Sequence, residues 1–126
     1  MKAFTLFIIS AIMLFPSVSV ADNVVDIKME IYKDQQRQLI NTVISSEADK
    51  RYTFDELKNV TTQREFSRYM NKMEINFKEN DTKISDAEFK LSELKIKVLE
   101  ASGTIPAWWK ENEDYCEKKR SEYRSK

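Results

Sequence analysis

"SSEADKRYTFDEL" (Ser45–Leu57) and "FKENDTKISDAEF" (Phe77–Phe89) align without a gap at a separation of 32 residues. Glu47 matches Glu79, Asp49 matches Asp81, and Arg51 matches Lys83. Tyr52 matches Ile84, Thr53 matches Ser85, Glu56 matches Glu88, and Leu57 matches Phe89. Each stretch lies between segments with helical periodicity, so the fold turns on whether the two are loops or helix. Two readings explain the shared pattern. Thr53-x-x-Glu56 and Ser85-x-x-Glu88 are capping boxes, which any helix start in a plain bundle can use. The paired acids and the apolar residues at matching places, which capping does not require, point instead to a repeated loop.

The surrounding chain limits the choices. One glycine and two prolines in 126 residues leave too few turn residues for a sheet-rich fold, so the expected class is all-α. Periodicity predicts a helix from about Asn23 to Ile44, although Val25, Ile27, Met29 and Ile31 also alternate like a strand. A second helix carries Leu57, Phe66, Tyr69, Met70 and Met73, and a third carries Phe89, Leu91, Leu94, Val98 and Ala101. Gly103 stands where a left-handed C-cap belongs. Pro106 suits the first turn of a last amphipathic helix, with Glu111, Glu113 and Asp114 early and Lys118, Lys119, Arg120 and Arg124 late, as the helix dipole favours.

The two stretches resemble the paired EF-hands of calmodulin-type proteins. A calcium ion there takes six to eight oxygens from a twelve-residue loop, at positions 1, 3, 5, 7 and 9 and from a bidentate Glu at 12. Counted from Ser45 and Phe77, the resemblance implies Ser45, Glu47, Asp49, Thr53 and Glu56 as ligands in the first loop. Glu79, Asp81, Ser85 and Glu88 take those places in the second. Tyr52 and Ile84 occupy position 8, where paired loops touch. The loops are degenerate: Ser45 and Phe77 replace an entry Asp, and Lys50 and Thr82 replace the glycine whose left-handed conformation costs other residues about 1–2 kcal/mol. The resemblance therefore implies calcium as a weak or lost cofactor, held best by the first loop.

Residues 1–21 read as a secretory signal peptide, with Lys2, an apolar stretch too short to prefer spanning a membrane, Pro16, and small residues at Ser19 and Ala21. Cleavage there leaves residues 22–126 as one helical domain, periplasmic or secreted and without stable membrane insertion. That piece has 20 basic and 21 acidic residues, a balance that gives nucleic acid no electrostatic foothold. The chain has no histidine, and Cys116 has no base to activate it, so no catalytic constellation is found. With no internal disulfide partner, Cys116 is free or joins a second chain as a disulfide-linked dimer. Its charged neighbours suggest a wet edge of the last helix, the alternative being a thiol buried under Trp109.

The function expected is an exported, non-catalytic helical binding module with EF-hand-like loops. The alternative is an envelope accessory protein of secretion or conjugation type, gripping an unknown protein partner through the aromatic last helix. A domain of about 105 residues has a limited core, so Trp108 and Trp109 are expected to fill a groove in their own chain rather than face a partner. Helical spacing sets the two rings about 100° apart, one inward and the other outward.

Overall fold

The computed structural model describes residues 17–125, with side chains from residue 24 onward. Among these residues there are three α-helices and no strand: α1 (Ser17–Asp55), α2 (Gln63–Ser102) and α3 (Ala107–Arg124). A single 3₁₀ turn, Glu56–Asn59, follows α1. The all-α expectation holds. The signal-peptide reading falls largely on residues 1–16, which lie outside the described residues, and α1 passes through the Ala21–Asp22 junction.

Both twelve-residue stretches are helix. Residues 45–55 complete α1, with only Glu56 beyond its end, and residues 77–88 sit in the middle of α2. The helix–loop–helix units expected there are corrected for a plain reason: neither stretch contains a Gly or Pro to stop a helix. Gly103, the chain's one glycine, has a positive φ of 82°. The chain turns elsewhere, at Val60–Thr61–Thr62. The Thr62 hydroxyl accepts the Glu65 N–H at 3.1 Å, and the Glu65 carboxylate reaches back to the Thr61 N–H at 3.4 Å. This resembles a capping box, with the carboxylate on the N–H of the residue before the N-cap. Thr53 and Thr82 instead donate their hydroxyls to carbonyls four residues back, Asp49 at 3.0 Å and Lys78 at 2.9 Å, a bond that lets such residues sit inside a helix.

The repeat that governs α2 is seven residues long. Phe77, Asn80, Ile84, Ala87, Leu91, Leu94, Val98 and Ala101 alternate in steps of three and four, and every one is buried or half-buried. On α1 the matching series is Met29, Tyr32, Gln36, Leu39, Val43, Ser46, Lys50 and Thr53, none of them exposed. This spacing places one stripe of each helix against the other. Leu94 and Val98 meet Met29 and Tyr32, while Ile84 and Ala87 meet Ile40 and Val43. The two helices therefore run antiparallel as a hairpin, each roughly 60 Å long at 1.5 Å per residue. Phe89, which shares the predicted helix with Leu91, Leu94 and Val98, lies off this stripe and is 63% exposed.

Helix α3 returns alongside α1. Gly103 ends α2 with its N–H on the Leu99 carbonyl at 2.7 Å, the left-handed stop that glycine adopts at least cost. Pro106 occupies the N-cap itself, one place before the first turn. Trp109 is then buried to 1% exposure against Leu94 and Val98. Gln36, fully buried, donates to the Trp109 carbonyl at 3.1 Å and accepts from the Asn112 amide at 2.8 Å. Trp108 is half-buried beside it, with Lys33 Nζ 6.0 Å from its ring centre. The tryptophans thus plug a groove in their own chain.

Candidate docking surface at the hairpin tip

Helix α3 has 18 residues and spans roughly 27 Å, so it covers only part of the hairpin. It lies over Gln36, Ile40, Val43 and Glu47 and stops at Arg124. Near its end, six charged side chains from three helices meet. Glu47 is 3% exposed, with Arg124 Nε 2.6 Å and Arg120 Nε 3.6 Å from its Oε2. Neither Glu47 Oε2 nor Arg120 Nε has an aligned hydrogen bond, so this contact is ionic in character. Arg120 also donates to Glu88 of α2 at 2.9 Å. Lys50 donates to Asp81 at 2.6 Å and lies 3.8 Å from Glu47.

The proposed calcium ligands are spent or scattered in this arrangement. Glu47, Asp81 and Glu88 are brought into one network, but each is paired with Lys50, Arg120 or Arg124. Glu56 is half-buried and paired with Lys72 at 3.2 Å. Ser45, Asp49, Glu79 and Ser85 are exposed, and Thr53 is buried with its hydroxyl on its own helix. Among the described residues, no group of three or more acidic or sulfur-bearing side chains is arranged to hold a metal ion.

Cys116 also departs from expectation. It is 8% exposed and packs with Ile40, Val43, Ile84 and Ala87, so it belongs to the core and not to a wet edge. Burial pushes its thiol above the usual cysteine range; Arg120 opposes this, and Glu117, Glu88 and Glu47 add to it. The thiol borders a cleft of about 460 Å³ between α2 and α3. Two cross-helix ion pairs span that cleft, Lys95 with Glu113 at 3.3 Å and Arg120 with Glu88.

Past Arg124 the cleft between α1 and α2 continues uncovered. Its volume is about 390 Å³, and Phe54 and Phe77 provide apolar walls beside Glu47, Lys50, Arg51, Tyr123 and Arg124. The cations lie against the rings: Lys50 Nζ is 5.4 Å from the Phe77 centre and the Arg51 guanidinium 5.2 Å from that of Phe54. Further toward the turn, Phe66 and Met70 continue the buried stripe of α2 but are 46% and 39% exposed, because α1 has ended. Tyr69 closes the tip, its hydroxyl 2.8 Å from the Thr53 carbonyl and 3.1 Å from that of Phe54.

Charge is uneven along the molecule. Residues 50–78 hold seven basic and four acidic side chains, whereas the whole chain balances 21 against 21. The tip is therefore an aromatic surface with a modest basic excess, although the three cations beside Phe54 and Phe77 are paired, Lys50 with Asp81, Arg51 with Asp55 and Arg124 with Glu47. Sequence reading missed it because it placed Phe54 and Phe77 within the two expected loops. The signal available was the seven-residue spacing of α2 carried back through Phe77, Met73, Met70 and Phe66.

No family model, no curated protein and no solved structure matches this chain. Among the described residues, no helix is long and apolar enough to cross a membrane.

Proposed function

We propose that this chain is an exported, non-catalytic helical binding module that docks a helix of a partner protein at its hairpin tip. The observation that carries this is the α1–α2 cleft running on past the end of α3, with Phe54 and Phe77 in it and Lys50, Arg51 and Arg124 around them. A groove of that kind accepts an amphipathic helix by its apolar face. Lys50, Arg51 and Arg124 are paired within the chain, so apolar contact supplies the attraction. The net basic excess of residues 50–78 favours a helix flanked by acidic residues chiefly through encounter rate. The signal-peptide pattern of residues 1–21 supports export, and a histidine-free chain supports a role without catalysis. The aromatic last helix is not the chosen grip, because Trp109 is 1% exposed inside the bundle.

A photo-crosslinking residue at position 54, with the exposed position 41 of α1 as control, tests this in cells exporting the protein. The expected result is a discrete adduct from position 54 only, lost when Lys50 and Arg51 are both changed to Glu. Equal adducts from both positions would dispose of the tip as a docking surface.

A further inference from the structure

The outer face of α2 carries a second surface that the tip does not explain. Ile75, Phe89 and Ile96 are 60%, 63% and 58% exposed, and they fall on one seven-residue register with Thr82 between them. This register lies opposite the buried stripe of α2, where a solvated helix ordinarily places polar residues. Leu99, 45% exposed, extends the apolar line at the C-terminal end. From Ile75 to Ile96 the line covers roughly 31 Å along the helix. Neither α1 nor α3 can reach it, since both pack on the other side.

The charges beside the line say what suits it. Glu79, Asp86, Glu93 and Glu100 form a row immediately next to it, four residues on from Ile75, Thr82, Phe89 and Ile96, and all four are exposed. Among the described residues only Asp86 of this row holds an ion pair, with Lys90 at 3.0 Å. A second copy of the chain is a poor occupant. Antiparallel pairing of two such faces sets one acidic row against the other. Parallel pairing sets it against Lys78, Ser85, Ser92 and Leu99, which offer a single cation.

We propose that the Ile75–Phe89–Ile96 line is a docking site for an amphipathic helix of another protein whose apolar seam is bordered by lysine or arginine. This surface is separate from the tip and of opposite electrostatic preference, so the molecule joins two different helices. Apolar contact supplies the attraction, and the acidic row sets the orientation and rejects acidic competitors.

Two synthetic three-heptad peptides with the same leucine seam, one flanked by lysine and one by glutamate, test the proposal by calorimetry against the full chain. The lysine-flanked peptide is expected to bind, more weakly as salt is raised. Phe89→Glu and the Asp86→Lys/Glu93→Lys pair should each weaken it by about tenfold or more, while Phe54→Glu at the tip leaves it unchanged. Phe89 is exposed, so its variant should keep the native circular dichroism, which is checked first. Equal affinity for the glutamate-flanked peptide, or full binding by Phe89→Glu, overturns the proposal. Sedimentation showing a wild-type dimer that Phe89→Glu dissolves would assign the face to a second copy, and the proposal would again be wrong.

Discussion

Arg124 Nε lies 2.6 Å from Glu47 Oε2, so the last turn of α3 is tied by charge to a buried point on α1. The pair is asymmetric. The Glu47 side chain is 2% exposed, that of Arg120 12%, and that of Arg124 56%. If Glu47 is removed, Arg124 can return to water and Arg120 keeps Glu88. If both arginines are removed, a carboxylate stays buried with only Lys50 at 3.8 Å. Stranding a buried charge costs about 3–5 kcal/mol. The Arg120→Ala/Arg124→Ala variant is therefore expected to lose stability in that range and Glu47→Ala less, with Arg124→Ala the mildest. Urea titration at neutral pH ranks them, and a larger loss from Glu47→Ala than from the double variant would show that the network is not held this way.

Burial of Cys116 has a kinetic consequence. A thiol reacts as thiolate, and here both low access and a raised pKa oppose it. A thiol reagent should modify the native protein only as fast as α3 opens, and should modify it at once in denaturant. The chain should accordingly run as a monomer on non-reducing electrophoresis. Rapid labelling of the folded protein would place the thiol at the surface and restore a disulfide-linked dimer as a serious reading.

The helical class, Gly103 as a stop and the inward use of a tryptophan were legible in the sequence because each depends on local chemistry: turn-residue scarcity, a glycine φ, one large ring at helical spacing. The two stretches at Ser45 and Phe77 were misread because acids at alternate positions with Thr or Ser before Glu suit a calcium loop and an exposed helix face equally. What separates them is negative information, the lack of glycine at Lys50 and Thr82. The tip surface was legible only on the α2 side, from the spacing of Phe77, Met73, Met70 and Phe66; Phe54 becomes a docking candidate only once Arg124 is seen to end the cover.

That correction leads to a thermal test. Residues 45–55 and 77–88 are continuous helix, and wrapping calcium would require breaking hydrogen bonds in α1 or α2 and detaching Lys50 from Asp81. Melting curves in millimolar calcium and in chelator, a range that would fill even weak extracellular EF-hand sites, are expected to coincide. A rise in Tm with calcium that Glu56→Gln abolishes would reinstate the first stretch as a site.

Tyr69 gives the hairpin tip an alkaline limit. Its hydroxyl is the donor that satisfies the Thr53 and Phe54 carbonyls at the end of α1, where a helix leaves carbonyls without partners. Burial, then the nearby Glu56 and Asp55, raise its pKa above the tyrosine value of 10.0. A folded pKa above the unfolded one means that the protonated phenol stabilises the fold. Its contribution is fully present below about pH 10 and is lost as pH rises through the folded value. Tyr69→Phe should therefore cost about 1 kcal/mol at neutral pH, the scale of a typical hydrogen bond. The variant should also fall less steeply than wild type above pH 10, where the other tyrosines and the lysines titrate in both proteins and cancel in the comparison. The measurement is urea unfolding of the pair across neutral to alkaline pH; parallel curves with a constant gap would mean that Tyr69 holds the tip by packing alone.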